Sequence, residues 1–487
     1  MKNPRLLLIL LLALVVRLYH IDFPVAGFAA WRQADTAAMA RNFHENGYDI
    51  LHPQIDWGGN GEGYVETEFP LYQYVVSLIY AVGGPWDAWG RMVSVFCGVL
   101  TVYILFLLVR LELTTSIALW SALIYAILPL NIFYSRAYMP ESTMLMCTVA
   151  GVYFFDSWMR DDRLRNAVLA ALLIALAGLL KIVALYIGIP LLFLVWRKWG
   201  NRLWTRWDLA LWGVAVLGAV GSWYYHAHQI FVTYGNTFGI WMFGTNKWGM
   251  FDVLATPKWY NDIFLKSIAE RHLTYAGFLP FLAGLFLPEQ RRALRLFFWW
   301  FAGILFYFGL VAVGNQVHEY YQLPFTIPAA VVMATVFDRY ITRESVRNAV
   351  RSRNWKVLFL LLCLITLPVL SALRVAHFLK GEQRDSPLFH LATAVQETTA
   401  PTDLVVAIDE GDPVILYRCD RKGWHGFPDA LTDDLIRSVA ACGAVYIVGE
   451  KQRFSEPDRA ATLDRLLTEY PVVRDGDDFF IVRIPRQ

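Results

Sequence analysis

The chain has 487 residues, 57% of them hydrophobic and 15% aromatic, with only 17% charged. A soluble domain carries roughly 25% charged residues, so the composition excludes an ordinary soluble globular protein and points to an integral membrane protein. The net charge of +2 gives no ground for a nucleic-acid partner; what matters is where the cations fall, because Lys and Arg in short loops mark the cytoplasmic side.

The chain opens with Lys2 and Arg5 followed by an apolar run over 6–19. That resembles a signal peptide, but Arg17 interrupts the run and Ala26-Gly27-Phe28-Ala29-Ala30 is only a loose cleavage site. An uncleaved first helix is expected, with Arg17 snorkelling toward the interface. A spanning helix needs about 20 apolar residues. Candidates run roughly over 5–21, 91–110, 116–134, 143–159, 166–181, 182–196, 209–228, 273–288, 296–314, 322–341 and 356–379. The apolar stretch 71–82 is only about a dozen residues long, too short to cross.

Basic residues decide how 71–82 is counted. Arg160, Arg163 and Arg165 cluster in one connection, and Arg197, Lys198, Arg202 and Arg206 in another. Arg291, Arg292 and Arg295 follow, then Arg339, Arg343, Arg347, Arg351, Arg353 and Lys356. With 71–82 lying along the membrane as a juxtamembrane or re-entrant helix, all these clusters fall on the same side as Lys2 and Arg5. The reading is therefore a multi-span α-helical membrane protein of about eleven spans, with its N-terminus cytoplasmic. The active face and tail are then extracytoplasmic, on the periplasmic side if the membrane is a bacterial inner membrane.

The outward connections hold the unusual polar residues. In the long first loop, "WRQADTAAMARNFHENGYD" is helical in pattern with Asp35 at its start, a place where the helix dipole alone favours a carboxylate. "ETEFPLYQY" sets Glu66 and Glu68 beside Tyr72 at the membrane edge, costly unless partnered. "YSRAYMPES" brings Arg136 and Glu141, the latter just after Pro140, a normal first-turn proline. Lys181 falls between two apolar runs and must reach water or an anion. "NQVHEYYQLP" places His318, Glu319 and Tyr320 at the outer end of a later span.

Past about residue 380 the character changes. "LVVAID", "AVYIVGE" and "DFFIVRIP" read as strands, and "LFHLATAVQETT" and "EPDRAATLDRLLTEY" as helices. A small extracytoplasmic α/β domain over 381–487 is expected beside a transmembrane domain over 1–380. No nucleotide-binding glycine loop is visible, and "DEGDP" reads as a turn. Cys419 and Cys442 share this tail and are able to form a bridge in an oxidising compartment.

Three carboxylate sites, an arginine, a lysine and a His-Glu-Tyr cluster on one membrane face supply a general base and cations for an anionic leaving group. A membrane-tethered, preloaded lipid phosphate carrying a sugar fits a face without a nucleotide supply. A transporter or flippase of lipid-linked sugars would use similar charges but needs access from both sides, with matched breaks in two halves. A non-catalytic scaffold leaves Lys181 and the His318 cluster unexplained. No His-x-x-x-His or Cys pair argues for a metal, although a divalent cation is compatible with the acids.

The order of these features is an acid in the first outer loop, a charge before Pro-Leu-Tyr and an acid after an Arg in the second loop. A Lys at a helix joint and His-x-Tyr-Tyr-x-Leu-Pro follow. It resembles the type-C glycosyltransferases (GT-C fold) of the protein O-mannosyltransferase and lipid A aminoarabinose transferase group, family 39-like. The likeness covers about 1–380 and extends to the tail only by placement. It implies Asp35 as the base that deprotonates the acceptor and Glu141 as support for the acceptor or a neighbouring cation. Arg136, Lys181 and His318 would face the donor phosphate, with Tyr320 in hydrogen-bonding reach. Glu66, Glu68, Tyr72 and Glu319 are expected in the acceptor and sugar pocket. Where aminoarabinose transferases carry Lys-Pro-Pro-Leu-Tyr, this chain has Glu68-Phe69-Pro70-Leu71-Tyr72. The reversed charge argues against a phosphate acceptor and for a hydroxyl on a glycan, lipid or protein. The implied reaction is an inverting displacement at the sugar C1 with a polyprenyl phosphate leaving.

Overall fold

The computed structural model describes residues 3–239, 251–287, 293–349, 353–380 and 385–485. Lys2, Arg291, Arg292 and Arg351, counted above among the cytoplasmic cations, lie outside these, as do residues 240–250 between the expected spans 209–228 and 273–288, residue 288 at the end of one expected span, and residue 381 at the expected boundary. The chain divides into two compact units. One comprises Met1–Ile21, Arg91–His226 and Trp241–Phe378; the other comprises Asp22–Gly90, Ala227–Ile240 and Leu379–Gln487.

The first unit is helical throughout its described secondary structure. Its Leu-, Ile- and Val-rich runs leave the backbone to satisfy its own hydrogen bonds, which in lipid only a helix does within one segment. Among the described residues four helices are long and apolar enough to cross a membrane: Asp87–Glu112, Ile182–Thr205, Glu319–Tyr340 and Trp355–Leu379. Shorter apolar helices include Leu71–Gly83, Thr115–Ile127, Leu164–Leu180, Thr274–Leu285 and Arg295–Leu310.

Helix breaks fall at a proline or where a polar residue interrupts the apolar pattern. Thr115–Ile127 gives way at Leu128 to the short Pro129–Tyr134 helix, begun by its proline. Leu164–Leu180 ends at Lys181, whose backbone is extended, and a 3-10 turn over Ile182–Ile187 leads into Gly188–Trp199. His318 is likewise extended, between Ala312–Val317 and the 3-10 turn Glu319–Phe325, which precedes Thr326–Tyr340.

The first helix, Pro4–Leu18, corrects one expectation. Arg17 does not snorkel; it is buried. Its guanidinium donates to Ser135 Oγ and to the carbonyls of Ala13 and Ala126, each at 3.0 Å in the carbonyl cases. The break at Leu128 makes this favourable. A helix that stops leaves carbonyls without intrahelical donors, and Arg17 also reaches the Asn131 carbonyl beyond the break.

The second unit holds a five-stranded sheet. Its strands are β1 (Leu404–Ile408), β2 (Gly423–Gly426), β3 (Ala444–Glu450), β4 (Val472–Asp475) and β5 (Phe479–Arg483), in the order β2-β1-β3-β5-β4. β1 runs parallel to both β2 and β3, while β5 is antiparallel to β3 and β4. Alternating side chains feed two cores, as the strand period of two requires. Val405, Ala407, Val448 and Ile481 pack on one face with Leu391, Val395 and Leu416. Val406, Ile408, Ile447 and Phe480 pack on the other with Ile436 and Leu466.

The Cys419–Cys442 bridge that the sequence left open is absent: both thiols are free, Cys419 buried in the sheet core and Cys442 exposed after the Asp433–Ala441 helix. Burial pushes the Cys419 thiol up to about 12, which makes it inert toward exchange.

The first-loop segment belongs to this same unit. The Gly423 N–H donates to the Asp56 carbonyl at 2.9 Å, and the Gly59 N–H donates to the Gly423 carbonyl at 2.8 Å. Gly59 has φ of +67°, and a Cβ there would meet the Trp424 indole at 2.5 Å, so a side chain is excluded. Arg41 clips the pieces together, pairing with Asp56 and with Asp420 at 2.6 Å each and donating to the Tyr417 carbonyl.

Candidate active site

In the second unit, Asp35 lies on the Ala30–Asn46 helix. It sits in the second turn, not the first, so the dipole-favoured structural explanation does not apply. The carboxylate is only 3% exposed, and the Trp57 indole N–H donates to Oδ1 at 3.0 Å. Burial pushes Asp35 up to about 7 against the pull of Trp57, Arg32 and His425. A carboxylate of that basicity is poised to take a proton near neutral pH.

Glu68 pairs with Arg32 on the same helix as Asp35, at 2.6 Å. Arg32 also lies over the Phe238 ring, 4.8 Å from its centroid. Glu66 is fully buried and bridges the backbone at Thr237; it accepts from the Thr237 hydroxyl, with His228 Nδ1 3.5 Å away. Tyr72 is buried and donates to the Gly90 carbonyl at 2.6 Å. The costly acids at the membrane edge are thus partnered, by residues the sequence patterns did not single out.

In the first unit, Glu141 opens the Glu141–Asp161 helix, with Pro140 as its capping residue rather than its first helical one. Lys181 reaches it from the helix joint: Nζ stands 2.6 Å from Glu141 Oε1, and both side chains are buried. The same ammonium lies over two aromatic rings, 4.7 Å from the Tyr320 centroid and 4.8 Å from that of Tyr321, a cation–π arrangement. The other Glu141 oxygen is buried with no hydrogen-bond partner among the described residues.

His318 packs against Tyr320 and Tyr321 at 5.3 and 5.4 Å between centroids. Glu319 accepts from the Tyr134 hydroxyl at 3.1 Å and from Arg271 at 2.6 Å. Arg136 is buried and donates to the His20 carbonyl at 2.6 Å. The first unit therefore gathers Glu141, Lys181, Tyr320 and Tyr321 directly. Glu319 joins through Tyr134, whose ring meets Tyr320 at 5.6 Å.

Sequence reasoning missed Arg32, Trp57, Tyr134, His228, Arg271 and Tyr321 as partners. Tyr321 alone had a usable signal, its place in the Glu-Tyr-Tyr run. Among the described residues no group of three or more His, Cys, Asp or Glu side chains is arranged to hold a metal ion.

Over residues 67–225 the chain matches the family described as dolichyl-phosphate-mannose-protein mannosyltransferase, a stretch that contains Glu68, Arg136, Glu141 and Lys181. No curated protein matches the chain in sequence. Among solved structures it is similar to ArnT from Cupriavidus metallidurans bound to undecaprenyl phosphate, at 17% identity with a TM-score of 0.67 over 99% of this chain and 98% of that one. It is also similar to the oligosaccharyltransferase AglB from Archaeoglobus fulgidus in complex with an inhibitory peptide and a dolichol-phosphate, at 13% identity with a TM-score of 0.62 over 99% of this chain and 76% of that one. The resemblance thus holds at the level of the fold, which is that of the type-C glycosyltransferases.

Proposed function

We propose that this protein is an inverting glycosyltransferase that moves a sugar from a polyprenyl phosphate to a hydroxyl acceptor on the outer face of the membrane. The observation that carries the reading is Asp35: a carboxylate sealed from water, held by an indole N–H and raised to about 7. In this scheme Asp35 takes the proton of the acceptor hydroxyl as its oxygen attacks the sugar C1. The C1–oxygen bond to the phosphate breaks, and the polyprenyl phosphate leaves with the electron pair.

Lys181 and Arg136 neutralise the phosphate as it departs. Glu141 holds the Lys181 ammonium in place until the donor arrives, because an unpaired ammonium so deeply buried is costly. His318 and Tyr320 complete the donor side. Glu66, Glu68, Tyr72 and Glu319 shape the acceptor and sugar side through the contacts described. The carboxylates beside the Pro-Leu-Tyr step favour a neutral hydroxyl over a phosphate as acceptor.

The test is incubation of purified protein with a panel of polyprenyl-phosphate sugars and candidate hydroxyl acceptors. Release of free polyprenyl phosphate only when an acceptor is supplied, with inverted anomeric configuration in the product, supports the scheme. Movement of intact lipid-linked sugar across vesicles without release overturns it.

A further inference from the structure

We propose that the Asp409–His425 pair at the carboxyl edge of the C-terminal sheet positions Trp57 and, through it, the Asp35 carboxylate, making the tail a working part of the base. The inference rests on Asp35 acting as that base.

Asp409 follows β1 directly, and His425 lies on the neighbouring β2, where it is paired in register with Ala407. Asp409 is fully buried. Both its oxygens stand 2.9 Å from His425 Nδ1, and the Gly411 N–H donates to Oδ1 at 3.0 Å. A carboxylate accepting from one ring nitrogen fixes the imidazole's orientation, as partners of functional histidines do. The ring so fixed lies against the Trp57 indole, with centroids 5.4 Å apart and planes inclined by 33°.

The backbone on either side of Trp57 is held by the same strand, since Asp56 and Gly59 both bond to Gly423. Phe238 closes another side of the indole edge-on at 6.0 Å. The indole N–H is left aimed at Asp35. The tail therefore sets both the position and the tilt of the hydrogen-bond donor that Asp35 depends on.

The groups that act on Asp35 from the elements around it are Trp57, Arg32 and His425, which favour its ionised form, and Asp56, which opposes it. Removing His425 would make Asp35 harder to ionise through the lost charge alone, so the positioning role is read from Asp409→Asn, which keeps the imidazole but loosens its orientation. A pair that merely stapled two strands would leave the acidity of Asp35 unchanged.

The experiment compares wild type with His425→Phe, Asp409→Asn and Trp57→Phe in the full-length protein, with elution volume and thermal melting as folding controls. His425→Gln replaces His425→Phe if the latter does not fold. The readout is the pH profile of glycosyl transfer. The acid limb is expected to move upward by about half a pH unit or more, so that transfer at the low-pH end falls roughly threefold relative to wild type while transfer at high pH is largely kept. A uniform loss with an unmoved midpoint, or an unchanged profile, overturns the inference.

The Asp35 carboxyl is also titrated without turnover, by infrared difference between each protein and its Asp35→Asn counterpart. An unmoved carboxyl midpoint in the variants overturns the positioning role alone. Absence of transfer from every donor tried, with a moved carboxyl midpoint, overturns the proposed reaction and leaves the positioning role standing.

Discussion

A buried carboxylate resists ionisation, and the proposed role of Asp35 makes use of that resistance. Because its protonation midpoint lies at about 7, transfer activity is expected to fall as pH drops through that value, readable from the rate against pH. Asp35→Asn should lose activity by about 10²–10⁴, the usual worth of general-base help, while remaining folded. The sign for stability is opposite. The folded state holds this proton from 3.8, the unfolded value, up to about 7, so wild-type stability from this group is present at low pH and declines as pH rises through about 7. Melting curves of Asp35→Asn should therefore gain on wild type as pH rises across that window.

The Glu141–Lys181 pair makes a different prediction. Either Glu141→Gln or Lys181→Met strands a buried partner, at a cost of about 3–5 kcal/mol. The double variant should regain most of that in thermal denaturation, yet remain inactive in transfer. Glu141 and Lys181 stood out in the sequence because each is a charge at the edge of an apolar run, and Asp35 because it lies in a long outer loop at the start of a helical pattern. Trp57 carried no such mark among 19 tryptophans. His425 lies far along the chain from its indole partner, a separation no local periodicity spans. Arg17 was misread because its partners include the Ser135 hydroxyl and the Ala126 carbonyl freed at a helix break, far along the chain, which a residue pattern does not display.

At the scale of elements, the joints matter more than the helices. Leu164–Leu180 stops so that Lys181 can leave the helical path, and the turn after His318 orients Tyr320 and Tyr321. The charge of Lys181 marked its joint in the sequence, whereas apolar length alone gave no account of the break at Leu128, since a broken span and a continuous one share the same composition. The Arg41 clip is the corresponding device in the other unit. It joins the Ala30–Asn46 helix to Asp56, Asp420 and the Tyr417 carbonyl. Arg41→Ala should leave Asp56 buried without its cation. Limited proteolysis is then expected to cut the tail faster than in wild type, and a cleavage pattern identical to wild type would show the clip to be dispensable.

For the whole molecule, the proposed orientation has a reporter already in place. Cys442 is exposed, whereas Cys97, Cys147, Cys363 and Cys419 are buried. A membrane-impermeant maleimide should label Cys442 on intact cells or, beneath an outer membrane, on spheroplasts. Labelling only after lysis would put the tail inside and sink the outer-face scheme.

The second unit is assembled from pieces remote in sequence, with Arg41 and Tyr417 separated by 376 positions where they meet. Translation emits the Asp35 helix early and the strand that braces Trp57 much later. Until β2 is made, the nascent chain carries the proposed proton acceptor without the strand that holds Trp57. In the proposed scheme competence thus waits on β2, far along the chain from the helix it serves.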